Sequence, residues 1–164
     1  MGFQSTVPVS QAFGVVGELI IDGPQRADVL VLDASGGSVG NAFTKSASTN
    51  VATQGGVIGA GVVFAGILAN PKVYASTGAT SPLDPSLSLA ANQSGEFVTL
   101  GTMVVSITGA ANIGDLVQYN TTTGALSCVA PDASATTGNA LVPNAIVWNF
   151  PTSATGLVAI RLTN

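Results

Sequence analysis

The chain has no histidine, a single cysteine, a single tryptophan and very little charge. Each shortage removes a class of chemistry. Without an imidazole, a serine or cysteine nucleophile loses its ordinary base, and zinc loses its usual nitrogen ligand. The lone thiol, Cys128, allows no internal disulfide, which fits synthesis in a reducing compartment. The four cations, Arg26, Lys45, Lys72 and Arg161, are scattered, with no two adjacent. A duplex binder neutralises several phosphates with clustered Lys and Arg, so nucleic acid is not an expected direct partner. Nor is a membrane. The longest apolar run, Val57–Ala69, falls short of the ~20 residues that cross a bilayer and has no basic or aromatic anchors at its ends. MGFQSTVPVSQAF lacks the basic and apolar regions of a secretory signal. Its Gly2 and Thr6 fit a myristoylation pattern too short to carry weight.

What is present is apolar and small. Hydrophobic residues make up 46% of the 164-residue chain and mean hydropathy is +0.52, yet only 7% of residues are charged. An ordinary soluble domain carries roughly 25% charge. Gly, Ala, Ser, Thr and Asn fill the gap, and such a surface is thinly protected against association. A homo-oligomer is expected, with dimer and trimer equally open.

Amphipathic helical periodicity is almost absent. Short runs rich in Val, Ile and Leu, bounded by Gly, Pro, Asn and Asp, predict strands near 13–22, 28–33, 61–68, 96–107, 115–119, 125–129, 145–150 and 156–163. The last alternates, with Val158, Ile160 and Leu162 on one face and Ala159, Arg161 and Thr163 on the other. A one-residue slip would bury Arg161. DLVQYNTTTGALSCV reads as a hairpin, closed where Gly124 takes a positive φ. Asn120 and Asn92 head glycosylation sequons, which are read as turn chemistry. Residues 1–12, polar and containing Pro8, predict an extended N-terminal arm. Residues 76–95, with a short SLSL strand, and residues 130–143 predict surface loops. The fold class is all-β, a jelly roll or a β-barrel or sandwich: arm 1–12, then a single β domain over 13–164.

The run GGVIGAGVVFAGILANP (55–71) fails as a dinucleotide fingerprint, because Phe64 stands where Gly or Ala must let backbone approach. It predicts a buried strand or pair of strands, kinked at glycine where neighbouring backbone comes close, and serves as core or interface. Within it, Phe64 is expected in the core.

Catalytic motifs are incomplete. GGSVG (36–40) fits a nucleophile elbow with Ser38 at its centre, but no histidine can take the proton and Lys45 is not at Ser-x-x-Lys spacing. GNAFTKS (40–46) has threonine where a phosphate loop needs glycine before its lysine. Asp22, Asp28 and Asp33 lack the spacing of a calcium loop. Asp115 reads as a turn acceptor, Trp148 and Tyr119 as core aromatics, and Cys128 as a small buried hydrophobe. No catalytic, cofactor-binding or metal-ligating residue is expected.

Several segments, taken in order, resemble the structural cement proteins of tailed bacteriophages. They are QAFGVVGELIIDGPQRADVLVLD, GVVFAGILANPKVYA, GEFVTLGTMVVSI, ANIGDLVQYNTTTGAL and VPNAIVWNFPTSATGLVAIRLTN. The most specific pieces are Ala65–Lys72 and the hairpin Gly114–Leu126. The resemblance implies a β-rich fold of jelly-roll type, no enzymatic activity and no cofactor. It also implies binding to major capsid protein on the outside of the virion head, after synthesis in the bacterial host cytoplasm. The alternative is another virion part, a tail-tube subunit or a receptor-binding fibre domain. A hydrolase built on Ser38 stands third.

Overall fold

In the computed structural model, which describes residues 14–70 and 88–163, every regular element is a strand. In chain order these are β1 (Leu19–Ile20), β2 (Arg26–Leu32), β3 (Gly37–Ser38), β4 (Ala42–Ser46), β5 (Val51–Gln54) and β6 (Val62–Leu68). β7 (Ser88–Leu89), β8 (Ser94–Thr108), β9 (Leu116–Asn120), β10 (Leu126–Val129), β11 (Asn139–Asn149) and β12 (Gly156–Leu162) follow.

The architecture turns on β8, a 15-residue strand that serves two closed circuits. Its first half, up to Leu100, pairs with β2 on one edge and with β6 on the other. β5 and β4 complete that ring between β2 and β6. From Gly101 onward β8 pairs with β12 along one edge and with β1 and β10 along the other. β11 and β9 complete the second ring. Closing a sheet on itself removes the exposed edges that a flat sheet would present. The all-β expectation is met in its barrel form.

Each ring fills with the inward residues of its strands. The first holds Leu30, Leu32, Phe43, Leu68 and Phe97, with the Phe43 and Phe97 rings edge to face at 5.1 Å. The second holds Val105, Ile107, Val117, Tyr119, Val147, Val158 and Ile160. Ile67 and Val98 pack into this second cluster, so the two cores meet where β6 pairs with β8. The expected alternation of β12 holds for Val158, Ile160 and Leu162, all buried, and for Arg161, which stays half exposed. Ala159 is small enough to be buried on the other face.

Gly66 sits where β6 bulges against β4, between the pairs Phe43–Gly66 and Thr44–Phe64. Its φ is +133°, and a Cβ there would stand 2.8 Å from the Val98 carbonyl oxygen. This is the glycine kink with close backbone approach that the sequence predicts. The run around it is only partly buried. Ala65, Ile67, Leu68 and Ala69 are core, whereas Val57, Ile58 and Val63 are exposed. Phe64 is half-buried, packed against the second core with its ring 6.2 Å from that of Tyr119.

The hairpin is as predicted: β9 and β10 pair antiparallel from Leu126–Tyr119 to Val129–Leu116. Asn120 Oδ1 accepts from the Thr122 and Thr123 amides, and Gly124 has φ +69°. Three boundaries differ from expectation. Strands β3, β4 and β5 occupy 37–54, a stretch whose Gly, Ser and Thr content hides its pattern. Of the predicted strand 13–22, only Leu19 and Ile20 are strand among the described residues. The predicted loop 130–143 ends earlier, because β11 begins at Asn139 and carries Pro143 in a register shift against β9. A proline, lacking an N–H, is tolerated at such an irregularity. The expected arm, residues 1–12, and most of the expected loop 76–95 lie outside the described residues.

Candidate interaction surface

Ser38 lies exposed on β3, its backbone N–H donating to Gln54 Oε1 at 2.7 Å. It borders a polar recess of about 530 Å³ shared with Asp33, Ser35 and Thr53, and Lys45 does not line it. Asp33 Oδ1 is engaged by the Ser35 amide, at 2.8 Å. The three aspartates considered for calcium are placed apart in role. Asp22 pairs with Arg161, Asp33 closes a turn, and Asp28 stands exposed on β2. Asp115 is a turn acceptor as read, taking the Asn112 amide at 2.8 Å. Asn92, at φ +61°, likewise occupies a turn. Cys128 packs against the second core while staying partly accessible. Burial, helped by the nearby Asp115 carboxylate, pushes its thiol pKa up to about 12.

The two aromatics expected in the core part company. Tyr119 is buried, and its hydroxyl donates to the Gly56 carbonyl at 3.0 Å. Burial pushes its pKa up. Trp148 is 43% exposed, which corrects the expectation. It stands where the β11–β12 register shifts between Val147 and Asn149, and the inward place goes to Val147.

Around Trp148 the second barrel presents a built outer face. Register aligns Ile20, Thr102, Arg161, Ile146 and Leu116 in one row across β1, β8, β12, β11 and β9. The Arg161 guanidinium carbon lies 3.5 Å from the Trp148 ring centroid. Arg161 Nη2 donates to Asp22 Oδ2 at 2.8 Å, and its Nε to Thr102 Oγ1 at 3.3 Å. Thr102 Oγ1 in turn donates to the same Asp22 oxygen at 3.0 Å. The Arg161 hydrogen bond holds the Asp22 carboxyl below its ordinary pKa, opposed by some desolvation and assisted by Thr102. The guanidinium is thus held by Asp22, Thr102 and the indole ring it lies over. Cation–π contacts of this kind contribute about 0.5–1 kcal/mol when exposed and more when a partner excludes water.

Apolar groups extend the face. Ile113 is exposed, and the adjacent Gly114 amide bonds the Val147 carbonyl, which brings that turn beside Trp148. A shallow groove of about 300 Å³ between Leu116, Leu141, Pro143 and Ile146 adjoins it. Rigid Trp and Arg side chains set in an apolar surround are the composition that dominates protein–protein binding energy. No group of three potential metal ligands gathers among the described residues. The cue to this face in sequence was a lone Trp two residues beyond Ile146 in a strand with alternating burial.

Comparison with known proteins agrees with this architecture. The sequence model of the structural cement protein family (E217 gp24/Pam3 gp6) matches residues 3–163. No curated protein matches the chain. Among solved structures, a chain from the capsid of Myoviridae phage XM1 is similar with a TM-score of 0.70 at 18% identity, over 99% of this chain and 98% of that one. At that identity the likeness speaks for the fold.

Proposed function

This chain belongs to the structural cement protein family, and from that membership we propose how it acts on the phage head. It binds the outer surface of the capsid where major capsid protein subunits meet, and it stabilises the assembled shell. The observation that carries this reading is the outward Trp148–Arg161–Asp22–Thr102 cluster with its apolar surround. Such a face meets a protein surface and has no use for substrate. The protein works without catalysis or cofactor, as a self-associating module in the virion, and contacts neither nucleic acid nor membrane directly.

The mechanism is linkage. A ligand that binds the assembled shell and not its free subunits stabilises assembly by RT ln(1 + [L]/Kd), about 2.7 kcal/mol per site at a hundredfold excess over Kd. Repeated over many sites, that term resists internal pressure without any single strong bond.

The test is co-sedimentation with heads assembled without the protein. Wild type should pellet with heads, and Trp148→Ala should weaken binding by about 2 kcal/mol, roughly thirtyfold, while its melting temperature changes little. Antibody labelling of intact virions should mark heads. Label confined to tails, or wild type left in the supernatant, would overturn the reading.

A further inference from the structure

Part of one edge of β2 has no neighbouring strand among the described residues. The hydrogen-bonding direction along β2 alternates: Leu32 N–H reaches Gln93 next to β8, whereas Val31 N–H reaches Asn50 at the start of β5. β2 pairs with β8 in one register from Ala27–Val98 to Val31–Ser94. By that alternation Leu30 and Asp28 also face β8, while Val29 and Ala27 face the other way. On that side β5 covers only Val31 and Leu32. The N–H and C=O groups of Ala27 and Val29 therefore point off the sheet with no strand beside them among the described residues. Arg26 through Val29 are all exposed, Val29 at 68%, and Val31 and Val51 continue the apolar surface next door. A protein this poor in charge leaves such an edge open only at the risk of association.

We propose that this edge is a self-association surface, on which two copies of the chain pair their β2 strands antiparallel about a two-fold axis at Ala27. The proposal rests on the self-association put forward above and gives it a site. Three registers would let the outward groups meet, and the sequence discriminates among them. Centring on Val29 would need the Val31 N–H, which Asn50 already holds at 3.0 Å. Centring on Asp28 would set two carboxylates directly opposite each other, which is destabilising in a sheet. Centring on Ala27 pairs Ala27 with itself and Val29 with Gln25 of the second copy. It also sets Arg26 opposite Asp28 of the second copy, twice by symmetry. Opposite charges placed directly across a strand pair stabilise a sheet. The edge is self-complementary in hydrogen bonds and in charge in this register only, as a two-fold interface requires.

Sedimentation equilibrium on the full-length protein tests it. Wild type should be a dimer, twice the 16.1 kDa chain mass. Ala27→Pro removes an N–H that β8 does not use, so the fold should persist by circular dichroism and melting. The dimer dissociation constant should rise by about tenfold or more, as two backbone hydrogen bonds are lost across the axis. Asp28→Arg should also weaken the dimer, and adding Arg26→Asp should restore it, since the exchanged charges face each other again. A wild-type monomer would overturn self-association and this edge together. A wild-type trimer, or a dimer indifferent to a folded Ala27→Pro, would overturn the edge alone. Loss in Asp28→Arg without rescue would overturn the register, and with it the proposal.

Discussion

Gly66→Ala should be among the most damaging single-methyl changes this fold can receive. Two penalties coincide at Gly66. Its φ of +133° is a conformation that L residues rarely adopt, a strain of about 1–3 kcal/mol. The added Cβ would also stand 2.8 Å from the Val98 oxygen and 2.9 Å from the Phe97 carbonyl carbon and Cβ. Two of these atoms are backbone and cannot swing aside, so β6 must move away from β8. That contact is short, the pairs Ile67–Val98 and Leu68–Phe97 and the Ala69 amide on the Glu96 carbonyl, and it closes the first ring. Overpacking of this kind adds about 1–3 kcal/mol, for a total of about 2–6 kcal/mol. At about 2–4 °C per kcal/mol for a chain of this size, the melting temperature should fall by roughly 4–24 °C. Gly59→Ala is the internal control. Its φ is +131°, and nothing lies within 4 Å of the new methyl, so it carries the backbone strain without the collision. Calorimetric melts of both variants separate the two terms. Equal losses in the two would refute the close-approach argument, and an unshifted Gly66→Ala would refute both.

Phe64→Ala should destabilise by about 2 kcal/mol, less than the 3–5 typical of a fully buried Phe, because the ring is only half-buried against Tyr119; urea melts check it. Asp22 has a lowered pKa, so the stability its pairing with Arg161 contributes is present above the ordinary carboxylate pKa and is lost as pH falls through the lower folded value. Fluorescence of the single tryptophan, Trp148, should report that acid transition, and Asp22→Asn should abolish it. The Cys128 thiol, raised to about 12, should stay protonated at neutral pH and react slowly with a disulfide reagent until the chain unfolds. Its raised pKa stabilises the fold fully below the ordinary thiol value, and that contribution is lost as pH climbs towards 12. Binding to heads should vary little between low and moderate salt, because the proposed face is apolar and its one guanidinium is already paired. A contact driven by net charge would weaken as the screening length shortens to about 10 Å at 0.1 M.

The strands most legible in the sequence were those whose inward residues are large. β12 and the β9–β10 hairpin declared themselves through Val, Ile, Leu and the turn from Asn120 to Gly124. β4 and β5 did not. AFTKS buries Ala42, Phe43 and Thr44 in succession, and VATQ turns only Ala52 to the core with Val51 outward, so neither carries the period-two signal of large inward residues. A narrow closed ring needs small inward residues at some positions, and Ala, Gly and Thr carry no hydrophobic signal in a sequence. Trp148 was misread for the converse reason. Size argues for burial, but the register shift after Val147 turns the indole outward, and register is a property of strand pairing. Of the surface built around it, Arg161 was placed on the solvent side by alternation alone. Its partners Asp22 and Thr102 lie 139 and 59 residues away, beyond the reach of any local pattern.

The shared strand ties the two proposed surfaces together mechanically. The Trp148 face lies on the ring built from Gly101 onward, and the open β2 edge lies on the ring built before it. Load applied at one reaches the other along the continuous backbone of β8, which both rings hold by hydrogen bonds on each edge. No flexible linker intervenes between them. A dimer joined at its β2 edges would then set two Trp148 faces at a fixed spacing, and a second contact on the same shell becomes intramolecular once the first has formed. Ala27→Pro should therefore weaken binding to heads as well as dimerisation, although it touches nothing on the face that meets them. The loss should disappear when the comparison is made with shell fragments that carry a single binding site, where only one face can engage at a time. Equal losses against heads and single-site fragments would mean that the β2 edge itself touches the capsid, and the coupling would fail.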